Sequence, residues 1–329
     1  MLNFFKHSYL YQLIVIVLMA FVLWMPAFIT KSAFVPGESN TPLYNIIVSI
    51  FDFSPLLLNI IAFAVYLFCI FLFNSVLSAN RLVSKYSTVG ALSFLLMMCC
   101  SPELHSCYPF LFACPFILMA MHTLFLIYQT ENPENYLMNI GYFIAIASLF
   151  YYPSVFLILW VIISLFILKF DEVRYLMIPV TGFLIINGLY LGLTFLFGDI
   201  SVLIDYYSYF FNSLSFSYDL NKSNMILLII FSVLFLISLL SVVSSKSSDK
   251  GNNVKKRVGV AMVLTIFAVI MFFTHLPMMN NSLIFMMFAL FYAMTLSDIK
   301  KTRLANIIMI LMVIFIVARQ YLPLFGVNI

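Results

Sequence analysis

PLLLNIIAFAVYLFCIFLFNSVL, residues 55 to 77, runs for twenty-three positions without one charged side chain. A helix needs about 20 apolar residues to cross a hydrocarbon core about 30 Å thick, so this stretch is long enough to span a bilayer. A membrane β-strand would alternate apolar and polar positions over about ten residues, and this run is continuous. The same texture extends outward through the chain. Of its 329 residues 64% are hydrophobic, 18% aromatic and 9% charged, whereas about a quarter are charged in soluble domains.

Apolar runs between turn signals predict spans at 9–29, 55–77, 87–100, 110–128, 137–152, 154–168, 176–197, 223–245, 258–274, 282–296 and 304–318. The expected fold is all-α: a polytopic transmembrane bundle of about 11 spans, forming one integral membrane domain over 1–329. The runs 87–100 and 282–296 are short, which leaves open whether they cross fully, re-enter, or sit in a locally thin bilayer. Lys6 precedes the first run and no convincing small-residue cleavage site follows, so the run reads as an uncleaved span.

Basic residues set the orientation, because Lys and Arg are retained on the cytoplasmic side of short loops. With the N-terminus inside, Lys6, Arg81, Lys85, Lys169, Arg174, Lys246, Lys250, Lys255, Lys256, Arg257, Lys300, Lys301 and Arg303 are cytoplasmic, and Lys31, Lys222 and Arg319 are external. That split, 13 against 3, puts the C-terminus outside. The net charge of +4 is then a topology signal and not a nucleic-acid signal. KSSDKGNNVKKR (246–257) reads as a cytoplasmic loop anchored at anionic headgroups.

No Asp, Glu, Lys or Arg falls inside a predicted span, which counts against ion-coupled transport. His122 reads as a neutral histidine bonded to a neighbouring helix, and Gly188 with Gly192 as a G-x-x-x-G packing motif. Cys69, Cys99, Cys100, Cys107 and Cys114 are an odd number lying mostly in apolar runs, where a thiol acts as a small hydrophobe. No C-x-x-C pair or His/Cys cluster points to a metal.

Two external connections carry amphipathic patterns. In LYNIIVSIFDF, after the first span, Asn45, Ser49 and Asp52 recur at helical spacing. In DYYSYFFNSLSFSYD (205–219), in the fourth external loop, Asp205, Ser208, Asn212, Ser215 and Asp219 do the same among Tyr and Phe. Both read as surface-lying helices seated at headgroup level. Glu38, in the tight turn VPGESN, is the strongest candidate for a rigidly held carboxylate, with Asp52 second. Lys222 and Arg319 are the external cations available to hold a phosphate, Arg319 in bidentate fashion. Glu103 and His105, in CCSPELHSCYP, form a conceivable acid/base pair on an external turn.

The stretch from LFNSVLSANRL through SPELHSCYPFLFACPFILMAMHTLFLIY to EVRYLMIPVTGFLIINGLYLGLTFLFGD resembles an uncharacterised family of bacterial multi-pass inner-membrane proteins, known only as a domain of unknown function. The layout also resembles, more loosely, the C-type membrane glycosyltransferases, which use polyprenyl-phosphate-linked sugars. This chain lacks their acidic pair just after the first span and their large external domain. The likeness implies sugar transfer at the outer face of the membrane. Glu38 or Asp52 would take the acceptor proton while Lys222, Arg319 or a divalent metal steadies the departing lipid phosphate. Two other classes fit the same sequence. One is a non-catalytic subunit or assembly factor of an envelope complex, with other membrane subunits as partners; the other is a carrier or flippase.

Overall fold

The computed structural model describes residues 2–7, 9–30, 41–51, 54–101, 104–128, 130, 132–197, 222–245, 252–272, 282–299 and 302–322. The expected surface helix at 205–219 lies outside them. Among the described residues there is no strand. The helices are α1 (Leu2–His7), α2 (Tyr9–Thr30), α3 (Pro42–Phe51), α4 (Pro55–Ala79), α5 (Val89–Met98), α6 (Pro109–Ile127) and α7 (Glu134–Phe150). A 3-10 turn (Tyr152–Phe156) leads into α8 (Leu157–Leu168), followed by α9 (Val173–Phe197), α10 (Lys222–Ser245), α11 (Asn252–Phe272), α12 (Leu283–Asp298) and α13 (Thr302–Tyr321). Four of these segments, Tyr11–Ile29, Pro55–Ala79, Pro109–Ile127 and Val173–Leu196, are long and apolar enough to cross a membrane.

Side-chain pairs fix the relative directions. Asn59 donates to the Ala27 carbonyl (3.3 Å) and Trp24 packs on Tyr66, so α2 and α4 are antiparallel. Along α4 and α5, Asn74 meets Ala91 and Tyr66 meets Leu95, again antiparallel. Cys69 lies level with Leu111 and Asn80 with His122, so α6 runs parallel to α4. Ser241 bonds Thr295 and Phe235 stacks on Phe288, so α10 and α12 run the same way.

The two runs whose crossing was left open, 87–100 and 282–296, are the most deeply buried. All ten residues of α5 are buried, as is every residue of α12 from Leu283 to Met294. A helix apolar on every face must be surrounded by protein or lipid, and here protein surrounds both. At about 1.5 Å per residue, α5 is about 15 Å long. It starts beside the last turns of α4 and ends opposite Tyr66, near the middle of that longer helix.

α7 and α9 start together at the exposed Arg174–Glu134 ion pair (2.6 Å) and then cross at two glycines. A Cβ at Gly141 would collide with the Pro179 carbonyl oxygen, and one at Gly182 would lie 2.7 Å from the Met138 carbonyl oxygen. Such backbone-to-backbone approach is how membrane helices gain contact without a hydrophobic drive between them. The expected packing motif is not the one used among the described residues, where nothing lies within 4 Å of a Cβ placed on Gly188 or Gly192. A second correction concerns 246–257. α11 begins at Asn252, so Lys255, Lys256 and Arg257 are helical rather than loop residues.

Candidate functional site

One end of the bundle collects cationic side chains. α4 closes with the Arg81 amide donating to the Ser78 carbonyl (3.1 Å) and the Leu82 amide to the Leu77 carbonyl (2.9 Å). These bonds put Arg81 in the left-handed position that ends a Schellman motif, with φ 56°. Glycine is favoured there, and a side chain costs about 1 kcal/mol or more. Lys169 closes α8 in the same way, with φ 68°. Both charges suit the negative end of a helix dipole.

Beyond Arg81 the chain turns through Ser84, Lys85 and Tyr86, all exposed, before entering α5. These residues, with Ser75 and Ser78 of α4 and Ser297 and Asp298 of α12, line a cleft of about 1060 Å³. Arg257 lies behind it. Although buried, it donates to the Asn80 carbonyl (2.7 Å) and the Phe125 carbonyl (3.4 Å), and so caps the C-terminal ends of α4 and α6 together. Burial and the neighbouring Arg81 charge lower its pKa, but a guanidinium keeps its proton. Lys6 donates to the Ser297 (3.2 Å) and Ile299 (3.0 Å) carbonyls at the end of α12. Burial lowers its pKa, and Asp298 partly offsets this. The cleft therefore combines two exposed cations, a third cation behind them, several hydroxyls and one carboxylate, an arrangement that attracts a phosphate.

The cleft runs out onto an apolar track. Ser75 shares one face of α4 with Phe71, Phe68, Ile60 and Leu57, all exposed. A ligand held at Arg81 and Lys85 can lay a hydrocarbon chain along that face.

A second polar place lies inside the bundle, where the chain leaves α5 and turns into α6. Irregular backbone at membrane depth is tolerated only when other groups satisfy it, and three helices do so here. Tyr66 donates to the Leu95 carbonyl (3.2 Å), Gln320 to the Cys99 carbonyl (2.8 Å) and Tyr44 to the Cys107 carbonyl (2.9 Å). His105 donates through Nδ1 to the Ser101 carbonyl (3.0 Å), leaving Nε2 to accept from Gln320 (3.1 Å). Both ring nitrogens of a neutral imidazole are thereby used, and the ring packs against Trp24.

His105 is thus buried rather than on an external turn. Arg319 is buried too, beside Gln320, and is not an exposed phosphate clamp. Glu38, Asp52 and Glu103 lie outside the described residues, as does the Lys222 side chain. Their expected roles are neither assembled nor dispersed by the structure. His122 matches its expectation, with Nδ1 at 2.9 Å from the Asn80 amide nitrogen. The five cysteines are buried without disulfides, and among the described residues no group of three His, Cys, Asp or Glu side chains could hold a metal. The sequence reading missed Arg81, Lys85, Asp298 and Arg257 as a group. The signal for the three cations was the expected positive-inside excess, which does not reveal which charges converge.

The fold defines a helical membrane protein. No family model, curated protein or solved structure matches the chain.

Proposed function

We propose that this chain is a multi-pass inner-membrane protein of bacterial envelope biogenesis that holds a phosphate-bearing lipid from the cytosolic leaflet. The lipid phosphate sits between Arg81 and Lys85, and its tail follows the exposed face of α4. On this reading the N-terminus is inside and the C-terminus outside, and α5 reaches only partway across before α6 returns. Lipid-linked sugars on a polyprenyl phosphate are the substrate class that the layout favours. Binding is carried by the cleft, and it requires no catalysis. Transfer at the outer face would fall to Glu38 or Asp52.

The observation that carries the reading is Arg81 itself. It occupies a left-handed position suited to glycine and lines a cleft with Lys85, where neither cation has a carboxylate within ion-pair distance among the described residues. Arg81→Gly should therefore leave the fold as stable as wild type, or more so by up to about 1 kcal/mol, while weakening the ligand. Lipid mass spectrometry of the purified protein tests this. A polyprenyl-phosphate species should co-purify with wild type, Glu38→Ala and Asp52→Ala, and be depleted from Arg81→Gly combined with Lys85→Gln. Equal recovery from the double variant would remove the proposal.

A subunit role is the second reading. It is favoured by the open Gly188–Gly192 face of α9, which fits a small-residue crossing with a helix of another membrane protein.

A further inference from the structure

Three sulfur atoms from three helices meet inside the bundle. Cys114 Sγ of α6 lies 3.8 Å from Met286 Sδ of α12, and the Cys69 thiol of α4 is hydrogen-bonded to that of Cys114. All three residues are fully buried, and both cysteines are free thiols. Packing alone would account for any one of them, since a thiol or thioether fills a core as a small soft hydrophobe. The backbone beside them adds a fourth soft contact. Pro115 follows Cys114 inside α6 and has no amide to give the Leu111 carbonyl one turn back. Cys69 Sγ faces that carbonyl at 3.9 Å.

We propose that Cys69, Cys114 and Met286 form a buried site for a single copper(I) ion. Thiolate and thioether donors together select monovalent copper. A metal–sulfur bond is about 2.3 Å long, so three sulfurs in a plane around one ion stand about 4.0 Å apart. The 3.8 Å between Cys114 and Met286 is close to that spacing before any ion enters. Zinc fits poorly, because it takes four ligands from thiolate, imidazole and carboxylate, and among the described residues no His, Asp, Glu or third Cys completes such a set. Binding replaces one proton: an S–H bond of Cys69 or Cys114 breaks, an S–Cu bond forms, and the proton passes to solvent. The second thiol and the thioether donate lone pairs. The site is neutral before and after, which avoids the cost of leaving net charge in an apolar interior. An ion enclosed in this way braces α4, α6 and α12 against one another.

The test uses the full-length protein, purified in detergent from cells grown with added copper because the trio is closed to solvent. The protein is then treated anaerobically with ascorbate-reduced copper and desalted. Metal is counted by elemental mass spectrometry, and its ligands are read by X-ray absorption. Wild type should retain about one copper per chain with sulfur neighbours at about 2.3 Å, and its unfolding temperature should rise on loading. Cys69→Ser and Cys114→Ser should lose the metal. Met286→Leu, a swap of nearly equal volume that cores tolerate, should bind at least about tenfold more weakly in competition with bathocuproine disulfonate, since even outer-shell changes cost that much. Cys100→Ala removes a buried thiol outside the trio and should retain copper as wild type does. Copper-free wild type, zinc retained in place of copper when both are supplied, or equal loss in Cys100→Ala overturns the proposal. Where a serine variant fails to fold, Met286→Leu decides: wild-type affinity there overturns the proposal, and weakened binding by a folded chain upholds it.

Discussion

Gly141→Ala should destabilise the protein by about 3 kcal/mol or more, the upper range for forcing a side chain into a full interface. The added methyl would meet the carbonyl oxygen of Pro179, and backbone in the middle of a helix cannot step aside as a flexible side chain can. Pro179 lies inside α9 and lacks the amide that would bond the carbonyl one turn back, so the helix is already interrupted where the crossing forms. Gly182→Ala meets the Met138 carbonyl oxygen at 2.7 Å and should cost less. Gly188→Ala and Gly192→Ala, with open space around them among the described residues, should change little beyond a slight gain in helix propensity. Thermal unfolding of the four variants in one detergent ranks them. If all four behave alike, the crossing has been misplaced.

Arg257→Leu should cost about 3 kcal/mol, because it leaves two helix-end carbonyls, on Asn80 and Phe125, without their charged donor. Returning a buried guanidinium to water offsets part of that loss, but removing one side of a buried charged contact normally destabilises on balance. Arg257→Lys keeps the charge with a single-point donor in place of the planar fork, and should fall between wild type and leucine. The same variant should loosen the turn that carries Arg81, so the lipid depletion expected of Arg81→Gly should partly recur in Arg257→Leu. Denaturation curves and the lipid analysis on one preparation would check both effects. Wild-type stability in Arg257→Leu would reduce the residue to an ordinary membrane-surface cation.

Much of the bundle was legible from local texture. The runs at 55–77, 110–128 and 176–197 became α4, α6 and α9 with ends shifted by only a few residues, since twenty apolar positions in a row admit few alternatives. α5 and α12 were found as short runs, but apolarity on every face cannot distinguish lipid from protein as the covering phase. The glycine crossing was misread because G-x-x-x-G is a pattern within one helix, whereas Gly141 and Gly182 belong to two helices that meet only after folding. Arg257 was hidden because its positive-inside position had a sufficient explanation in the bilayer alone. His105 lay in a polar segment, CCSPELHSCYP, that looked like an external turn. Its partners Gln320 and Trp24 come from distant parts of the chain, and only their convergence buries it.

The cytosolic placement of the cleft is the premise beneath the lipid-binding proposal, and Tyr86, at 68% exposure, is an accessible reporter of it. A Tyr86→Cys variant can be probed with a membrane-impermeant maleimide against a background in which the five native thiols are buried. Residue 86 should react in inverted membrane vesicles and stay unmodified in intact cells. Modification in intact cells, with protection in inverted vesicles, would turn the bundle over and place the cleft on the wrong leaflet.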